Sequence, residues 1–88
     1  MNPTTENKTI ALNSVKSSQI AAIGHDPETN TLSIQFVSRD ETKPGSVYHY
    51  ENFTSEDFTV FKEAESIGSH FYKYIRPNTE KYPYRKIS

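Results

Sequence analysis

Tyrosine and basic side chains are concentrated towards the C-terminal end of this 88-residue chain. Residues 70–88 hold five lysines and arginines against one glutamate, a net charge of +4, whereas residues 1–69 hold five against ten acidic residues, a net charge of −5. Cations attract phosphates and aromatic rings stack on bases, and these are the two main contributions to single-strand nucleic-acid binding. The pattern therefore predicts a nucleic-acid site made of basic and tyrosine side chains: Tyr48, Tyr50, Tyr72, Lys73, Arg76, Lys81, Tyr82, Arg85 and Lys86. A solvated tail whose tyrosines anchor it to the core is the alternative interpretation.

Residue patterns typical of catalysis or metal binding do not occur in the sequence. There is no cysteine, and His25, His49 and His70 fall on separate predicted elements, without the His-x-x-x-His spacing of a zinc site. The three glycines form neither a phosphate-binding loop nor a Gly-x-Ser-x-Gly turn. His49 and Glu51 share a strand face, where a polar surface pair is a simpler interpretation than an acid/base pair. We therefore expect no enzyme activity, no cofactor and no metal.

Length and composition limit the class of protein. A chain of 88 residues makes one small domain, which buries only about 60% of its unfolded surface. Residues 1–13 are polar and aperiodic and are expected to form a flexible arm, which leaves residues 14–88 as a single domain. The lack of cysteine, of a signal peptide and of an apolar run of ~20 residues predicts a cytoplasmic protein without a membrane anchor. The net charge of −1 argues against nucleic-acid binding over the whole surface.

The predicted sheet begins with two strands joined by a turn. In "SSQIAAIGHD" the three-residue spacing of Ile20 and Ile23 predicts a bulge near Ala21, followed by a short strand. "DPETN" predicts a turn in which Asn30 takes the left-handed conformation. "TLSIQF" alternates apolar and polar residues, as a strand with one buried face does.

The next predicted strand, "SVYHYENF", carries the two central tyrosines. Alternation places Tyr48 and Tyr50 on one face and His49, Glu51 and Phe53 on the other. Burial of a charged Glu51 is costly, so the tyrosine face is the better candidate for the core side. If that face is exposed instead, both rings are free to stack on a ligand.

Two helices are predicted after this strand. "TSEDFTVFKEAES" starts with a capping box formed by Thr54 and Asp57, and Gly68 is expected to interrupt the helical region. A second helix over "SHFYKYIR" would turn Phe71, Tyr74 and Ile75 towards the core, and "YPYRKI" could add an edge strand. We therefore predict an α+β fold with a small antiparallel sheet of three to four strands and two helices packed on one face.

The order of these landmarks resembles the KTSC domain, a family named for its occurrence at the C-terminus of some lysyl-tRNA synthetases. The resemblance covers residues 14–87 and rests on "SVKSSQIAAIGHD", "LSIQF", the Tyr48 and Tyr50 pair, "FTVFKEAESIG" and "YPYRKI". It implies a compact α+β module, and the synthetase context implies RNA as a partner. The chain departs from the family pattern at His25 and Tyr72, where the family tends to have tyrosine and asparagine, and in the inserted loop "SRDETKPGS".

We therefore expect a small non-enzymatic binding module that associates with tRNA or single-stranded RNA through its basic, tyrosine-rich C-terminal segment. The alternative is a protein-interaction adaptor or an inhibitor of a larger enzyme, since tyrosine and arginine also dominate protein interfaces. Phosphate-led binding weakens steeply with salt, whereas an interface with an apolar centre changes little, so ionic strength distinguishes the two.

Overall fold

The computed structural model describes residues 10–40 and 42–87 of the chain. Within this part, five strands form one antiparallel sheet in chain order, namely β1 (Asn13–Ser14), β2 (Ile20–Asp26), β3 (Thr31–Phe36), β4 (Val47–Tyr50) and β5 (Tyr84–Lys86). Helices α1 (Ser55–Lys62) and α2 (Ile67–His70) lie between β4 and β5, and α2 continues directly into a π-helical segment, Phe71–Ile75. The predicted α+β class is confirmed, with five strands where three to four were expected.

The strand that the sequence analysis did not anticipate is β1, which pairs with β2 at one edge of the sheet. The boundary of the predicted arm at residue 13 thus falls inside a strand. Before it, Ile10 is buried, and a Cβ atom at Gly24 would collide with the backbone carbonyl of Ala11. The chain before β1 therefore passes closely over Gly24, on the sheet face opposite to the helices. The remainder of the predicted arm, residues 1–9, lies outside the described residues.

The β2–β3 hairpin has the two local irregularities that the sequence predicted. The pairing register shifts between Ile20 and Ala22, which is the expected bulge. In the turn, the carboxylate of Asp26 accepts a hydrogen bond from the backbone N–H of Glu28 at 3.0 Å. Asn30 has a φ of 54°, the left-handed conformation that asparagine tolerates better than most residues.

The end of β4 redirects the chain towards the core. Asn52 has a φ of 60°, so the strand alternation stops there. Phe53, predicted on the same face as His49 and Glu51, instead turns into the core and is only 1% exposed. Tyr50 belongs to the same core, which confirms that the tyrosine face of β4 is the buried one.

The helices begin with side-chain caps. At the start of α1, the N–H of Asp57 donates to Oγ1 of Thr54 at 3.1 Å, and the N–H of Thr54 donates to Oδ2 of Asp57 at 3.2 Å. This predicted capping box satisfies two backbone donors that a helix leaves free. The prediction that Gly68 interrupts the helical region was wrong, because Gly68 lies inside α2. The start of α2 is capped by Ser66, whose Oγ accepts a hydrogen bond from the N–H of Ser69. Neither helix in the described part of the chain is long and apolar enough to span a membrane.

One hydrophobic core lies between the sheet and the helices. The strands contribute Leu32 and Ile34, and the helical segments contribute Phe61, Phe71 and Ile75. Full burial of such a side chain contributes about 1.5–3 kcal/mol. The packing of the helices on one face of the sheet therefore stabilises the positions of the strands and of the helical segment that border the site described below.

Candidate functional site

A groove opens between the sheet and the π-helical segment. It has a volume of about 740 Å³. Its walls carry six aromatic rings, one guanidinium group and three small side chains: Phe36, Tyr48, Tyr50, Phe71, Tyr72, Tyr84, Arg76, Ser46, Pro77 and Thr79. We call this cavity the aromatic groove. It combines a large area of flat ring surface with one permanent positive charge.

The sheet fixes the positions of most of these rings. Tyr48 and Tyr50 point to the same side because they are two residues apart on a strand, and the pairing register places Tyr84 opposite Tyr50. The ring of Tyr84 lies 5.5 Å from that of Tyr50 and 5.9 Å from that of Tyr48, between centroids. Phe36 meets Tyr48 edge to face at 5.6 Å. The strands β3, β4 and β5 thus build one continuous aromatic wall.

Tyr50 combines a buried ring with an accessible hydroxyl group. The residue is 5% exposed, and its hydroxyl makes no hydrogen bond to another described residue. Among the described residues, every side-chain oxygen or nitrogen that is buried from solvent has a hydrogen-bond partner. The unpaired hydroxyl of Tyr50 is therefore in contact with solvent, and it opens onto the groove that Tyr50 lines. Burial, and secondarily the neighbouring Tyr84, raises the pKa of Tyr50 to about 12. The hydroxyl is therefore protonated at neutral pH and is available as a hydrogen-bond donor.

The π-helical segment forms the opposite wall. The N–H of Arg76 donates to the carbonyl of Phe71 at 2.9 Å, the five-residue hydrogen bond of a π turn. Tyr72 and Arg76 line the groove, with the guanidinium carbon 5.4 Å from the centre of the Tyr72 ring. Single π turns are rare and occur frequently at functional sites.

The π turn also explains why the prediction that Tyr74 faces the core was wrong. In an α-helix, residues three and four positions after Phe71 would share its face. The wider π turn keeps Ile75 in the core but rotates Tyr74 away from it, so Tyr74 is 56% exposed. Its ring packs instead against that of His70, with the centroids 4.9 Å apart.

Six of the nine predicted site residues lie in or beside the aromatic groove. Tyr48, Tyr50, Tyr72 and Arg76 line it directly, so the tyrosines of β4 belong both to the core side of the sheet and to the cavity wall. Lys86 lies opposite Tyr48 in the pairing of β4 with β5. Lys73 lines a neighbouring pocket that shares Tyr72 with the groove.

The other three predicted residues, Lys81, Tyr82 and Arg85, do not line the aromatic groove. Tyr82 is 6% exposed and packs edge to face against Phe53 with centroids 5.1 Å apart, so its ring is not free to stack on a ligand. The Nζ atom of Lys81 lies 5.1 Å from the Tyr82 ring, and a hydrogen bond to Tyr82 raises the pKa of Lys81. Arg85 pairs with His49 and, by strand alternation, points to the face opposite the groove.

The three histidines have separate surroundings. The Nε2 of His25 donates to the carbonyl of Phe53 at 2.6 Å, and the imidazole stacks on Phe58 with centroids 5.1 Å apart. Burial lowers the pKa of both His49 and His70. No group of three metal-ligating side chains occurs among the residues that the structure describes.

The list of predicted site residues did not include three aromatic residues of the groove, namely Phe36, Phe71 and Tyr84. A partial signal existed, because Phe36 and Phe71 were on the faces predicted to be apolar and Tyr84 belongs to the final tyrosine motif. Which of these rings borders a cavity depends on where the helical segment sits on the sheet. The sequence pattern does not contain that information.

Comparisons with known proteins agree with this architecture. Residues 16–82 match the model of the KTSC domain family. An uncharacterized protein from Stutzerimonas stutzeri (strain A1501) is 32% identical over 68 residues, which cover 77% of this chain and 87% of the relative. The crystal structure of a KTSC domain protein from Yersinia pestis superposes with a TM-score of 0.75 and 31% identity, covering 91% of this chain and 100% of the other. By sequence and by fold, the chain belongs to the KTSC domain family.

Proposed function

We propose that this KTSC domain is a non-enzymatic binding module that holds an unpaired base of single-stranded RNA in the aromatic groove. The observation that supports it most directly is the convergence of six aromatic rings and Arg76 on one open cavity. Every nucleobase has a flat π-face, and stacking on an aromatic side chain contributes about 1–3 kcal/mol per base.

The size of the groove suits a ligand of this kind. Its volume of about 740 Å³ lies within the range of roughly 300–1,000 Å³ found for small-ligand sites. The hydroxyl of Tyr50 supplies a donor for a polar edge of the base, and it lies among rings that bind the flat surface. Tyr72 is 40% exposed and offers part of its ring to the ligand.

The charges around the groove suit the phosphates of the same ligand. Arg76 is always protonated and can form paired hydrogen bonds with phosphate oxygens. Lys73 and Lys86 lie beside the groove and are exposed. If all three cations contact phosphates of a single strand, the logarithm of the affinity falls with the logarithm of salt concentration with a slope of at most about −2. We therefore expect weak binding at physiological salt.

The absence of enzyme activity is part of the proposal. The lining residues of the groove include hydroxyl groups but no carboxylate and no imidazole among the described residues. A general base within hydrogen-bond reach is the usual requirement for hydrolytic or transfer chemistry at such hydroxyls. The groove thus has the groups for stacking and for holding an anion rather than for proton transfer.

The test is a fluorescence-anisotropy titration of labelled oligouridylate, and of a tRNA pool, at about 20 mM and about 150 mM salt. We expect saturable binding of oligouridylate that weakens with salt. Tyr72→Ala and Arg76→Ala should each lower the affinity about ten-fold, since a lost stacking or phosphate contact is worth roughly 1.4 kcal/mol.

Lys62→Ala is the matched control, because Lys62 is an exposed cation on α1 that lies over the ring of Phe58 and lines no part of the groove. It removes the same charge as Arg76→Ala and should leave the affinity within about two-fold, as expected of a distant screened charge. Absence of binding at low salt, or equal losses in Lys62→Ala and Arg76→Ala, would contradict the proposed site.

A second function, docking of a protein strand, has one specific observation in its favour. β5 is an edge strand of the described sheet. The residues on either side of it, Pro83 and Ile87, form backbone hydrogen bonds with β4 and the residue after it, through Glu51 N–H to Pro83 C=O and Ile87 N–H to Val47 C=O. The backbone N–H and C=O groups of the alternate residues, Tyr84 and Lys86, therefore point away from β4. Such an edge can pair with a strand of another protein. Binding of this kind would survive higher salt, so the same salt series separates it from RNA binding.

A further inference from the structure

A second pocket lies directly beside the aromatic groove and has a different chemical character. Its volume is about 500 Å³, and it is bordered by the segment between β1 and β2 and by the residues around the start of α2. Tyr72 lines both cavities, so the two cavities adjoin at this side chain. A ligand that stacks on Tyr72 in the groove can therefore extend directly into this second pocket.

Two serines in the second pocket are arranged as hydrogen-bond donors. Oγ of Ser17 accepts from the backbone N–H groups of Gln19 and Ile20 at 3.3 and 3.2 Å. A hydroxyl has two acceptor positions and one proton, so Ser17 has both acceptor positions filled and only its proton left to offer. Oγ of Ser66 likewise accepts from a backbone N–H, that of Ser69 at 3.2 Å, and keeps its proton for a ligand.

The charges of the pocket also favour an anion. Its lining includes Lys16, from the connection between β1 and β2, and Lys73, from the π-helical segment, against one carboxylate, Glu65. Ammonium groups and hydroxyl donors together match the oxygens of a phosphate, which accept hydrogen bonds and carry negative charge. Glu65 opposes such a ligand and so provides a test in the opposite direction.

We propose that this pocket is a phosphate subsite that adjoins the aromatic groove, so that the two cavities together bind one base and the following phosphodiester of a single RNA strand. The inference rests on the proposed function and adds to it the path of the strand: it crosses Tyr72 and continues between Lys16 and Lys73. The rings hold the base, and the lysines and serines hold the adjacent phosphate.

The experiment compares two probes that differ in the phosphate. Labelled oligouridylate is titrated by anisotropy, and uridine, which has no phosphate, by ¹H–¹⁵N NMR chemical-shift changes. The double variant Lys16→Ala/Lys73→Ala should bind oligouridylate at least ten-fold more weakly, with a salt slope smaller by about 1.4, while its affinity for uridine is unchanged. Lys43→Ala/Lys62→Ala is the matched control, because both lysines are exposed and line neither cavity, and it should change the oligouridylate affinity by less than about three-fold.

A loss of affinity can result from misfolding, whereas a gain cannot, so a variant that binds more tightly is a useful second test. Glu65→Gln removes the opposing charge and should bind oligouridylate about two- to three-fold more tightly, since a nearby exposed like charge has an effect of that order. Equal affinities of the two double variants, or no gain for Glu65→Gln, would overturn the phosphate subsite while the losses in Tyr72→Ala and Arg76→Ala still support the groove. Absence of oligouridylate binding by the unmodified chain would overturn both proposals.

Discussion

Two buried tyrosines of this domain differ in what their hydroxyl groups contact. The hydroxyl of Tyr50 opens onto the aromatic groove, whereas that of Tyr82 donates to Oδ2 of Asp57 at 3.3 Å. Both rings are in the core, so the residue type and the burial do not distinguish them. The partner of each hydroxyl decides whether it contributes to stability or is available to a ligand.

A pair of tyrosine-to-phenylalanine substitutions separates these roles. Tyr50→Phe should lower the affinity for oligouridylate several-fold and change the free energy of unfolding by less than about 0.5 kcal/mol, because no protein partner is lost. Tyr82→Phe should cost about 1 kcal/mol of stability, because the carboxylate of Asp57 loses a hydrogen bond, and should leave the affinity unchanged. Urea unfolding and anisotropy titrations of both variants measure the four quantities. If Tyr50→Phe lowered the free energy of unfolding and left the affinity unchanged, Tyr50 would be only a core residue.

The start of α1 depends on local hydrogen bonds. Thr54→Ala removes the Oγ1 atom that accepts from the N–H of Asp57, whereas the backbone N–H of residue 54 can still donate to the Asp57 carboxylate. We expect a loss of about 1 kcal/mol in the free energy of unfolding, measured by urea titration. Thr59→Ala in the same helix is the control, because the hydroxyl of Thr59 bonds only to the carbonyl of Ser55 inside the helix. That substitution should be neutral or slightly stabilising, and an equal loss in both variants would contradict a specific role for the cap.

The close approach of the N-terminal segment to β2 requires a residue without a side chain at position 24. A Cβ atom there would meet the carbonyl of Ala11 and also approach Ile10 at 3.1 Å. Gly24→Ala should therefore cost about 1–3 kcal/mol, as overpacking of a close contact does. In a chain that lacks residues 1–12 the same substitution should have almost no effect on urea unfolding. A similar cost in both backgrounds would show that the penalty comes from β2 itself.

The free energy of unfolding of the whole molecule should be highest at an intermediate pH and should fall towards both acidic and alkaline pH. Burial lowers the pKa of His49 and His70, so below about pH 6.5 the unfolded chain binds protons more readily than the folded one, and the free energy of unfolding falls as the pH falls. At the alkaline end, the unfolded chain releases the Tyr50 proton near pH 10 while the folded chain keeps it to about pH 12. Stability should therefore also fall as the pH rises through this interval.

Urea unfolding between pH 5 and pH 12 checks both losses. His49→Gln with His70→Gln should flatten the curve between about pH 6.5 and pH 5, and Tyr50→Phe should reduce the loss above about pH 10. Tyr74→Phe is the control for the alkaline side, because Tyr74 is exposed and does not line the groove. An alkaline loss that is equal in Tyr50→Phe and Tyr74→Phe would assign it to other groups.

The sequence by itself determined the features whose causes lie within a few residues. The bulge after Ile20, the left-handed turn at Asn30 and the capping box at Thr54 are set by local sterics and hydrogen bonds, and all three are present in the structure. Alternation along β4 was enough to place Tyr48 and Tyr50 on one side. The charge asymmetry of the chain also identified Arg76 and Lys73 as candidates before the cavity beside them was known.

Only the tertiary structure decided which of these side chains meet. The left-handed Asn52 sent Phe53 into the core, and the π turn rotated Tyr74 out of it. Tyr82 and Arg85 carry the same residue types as the groove, yet one is enclosed by the core and the other lies on the opposite sheet face. The physical reason is that a cavity exists between elements: its walls depend on strand register and on how a helix packs on the sheet, and both are fixed by contacts between residues distant in sequence.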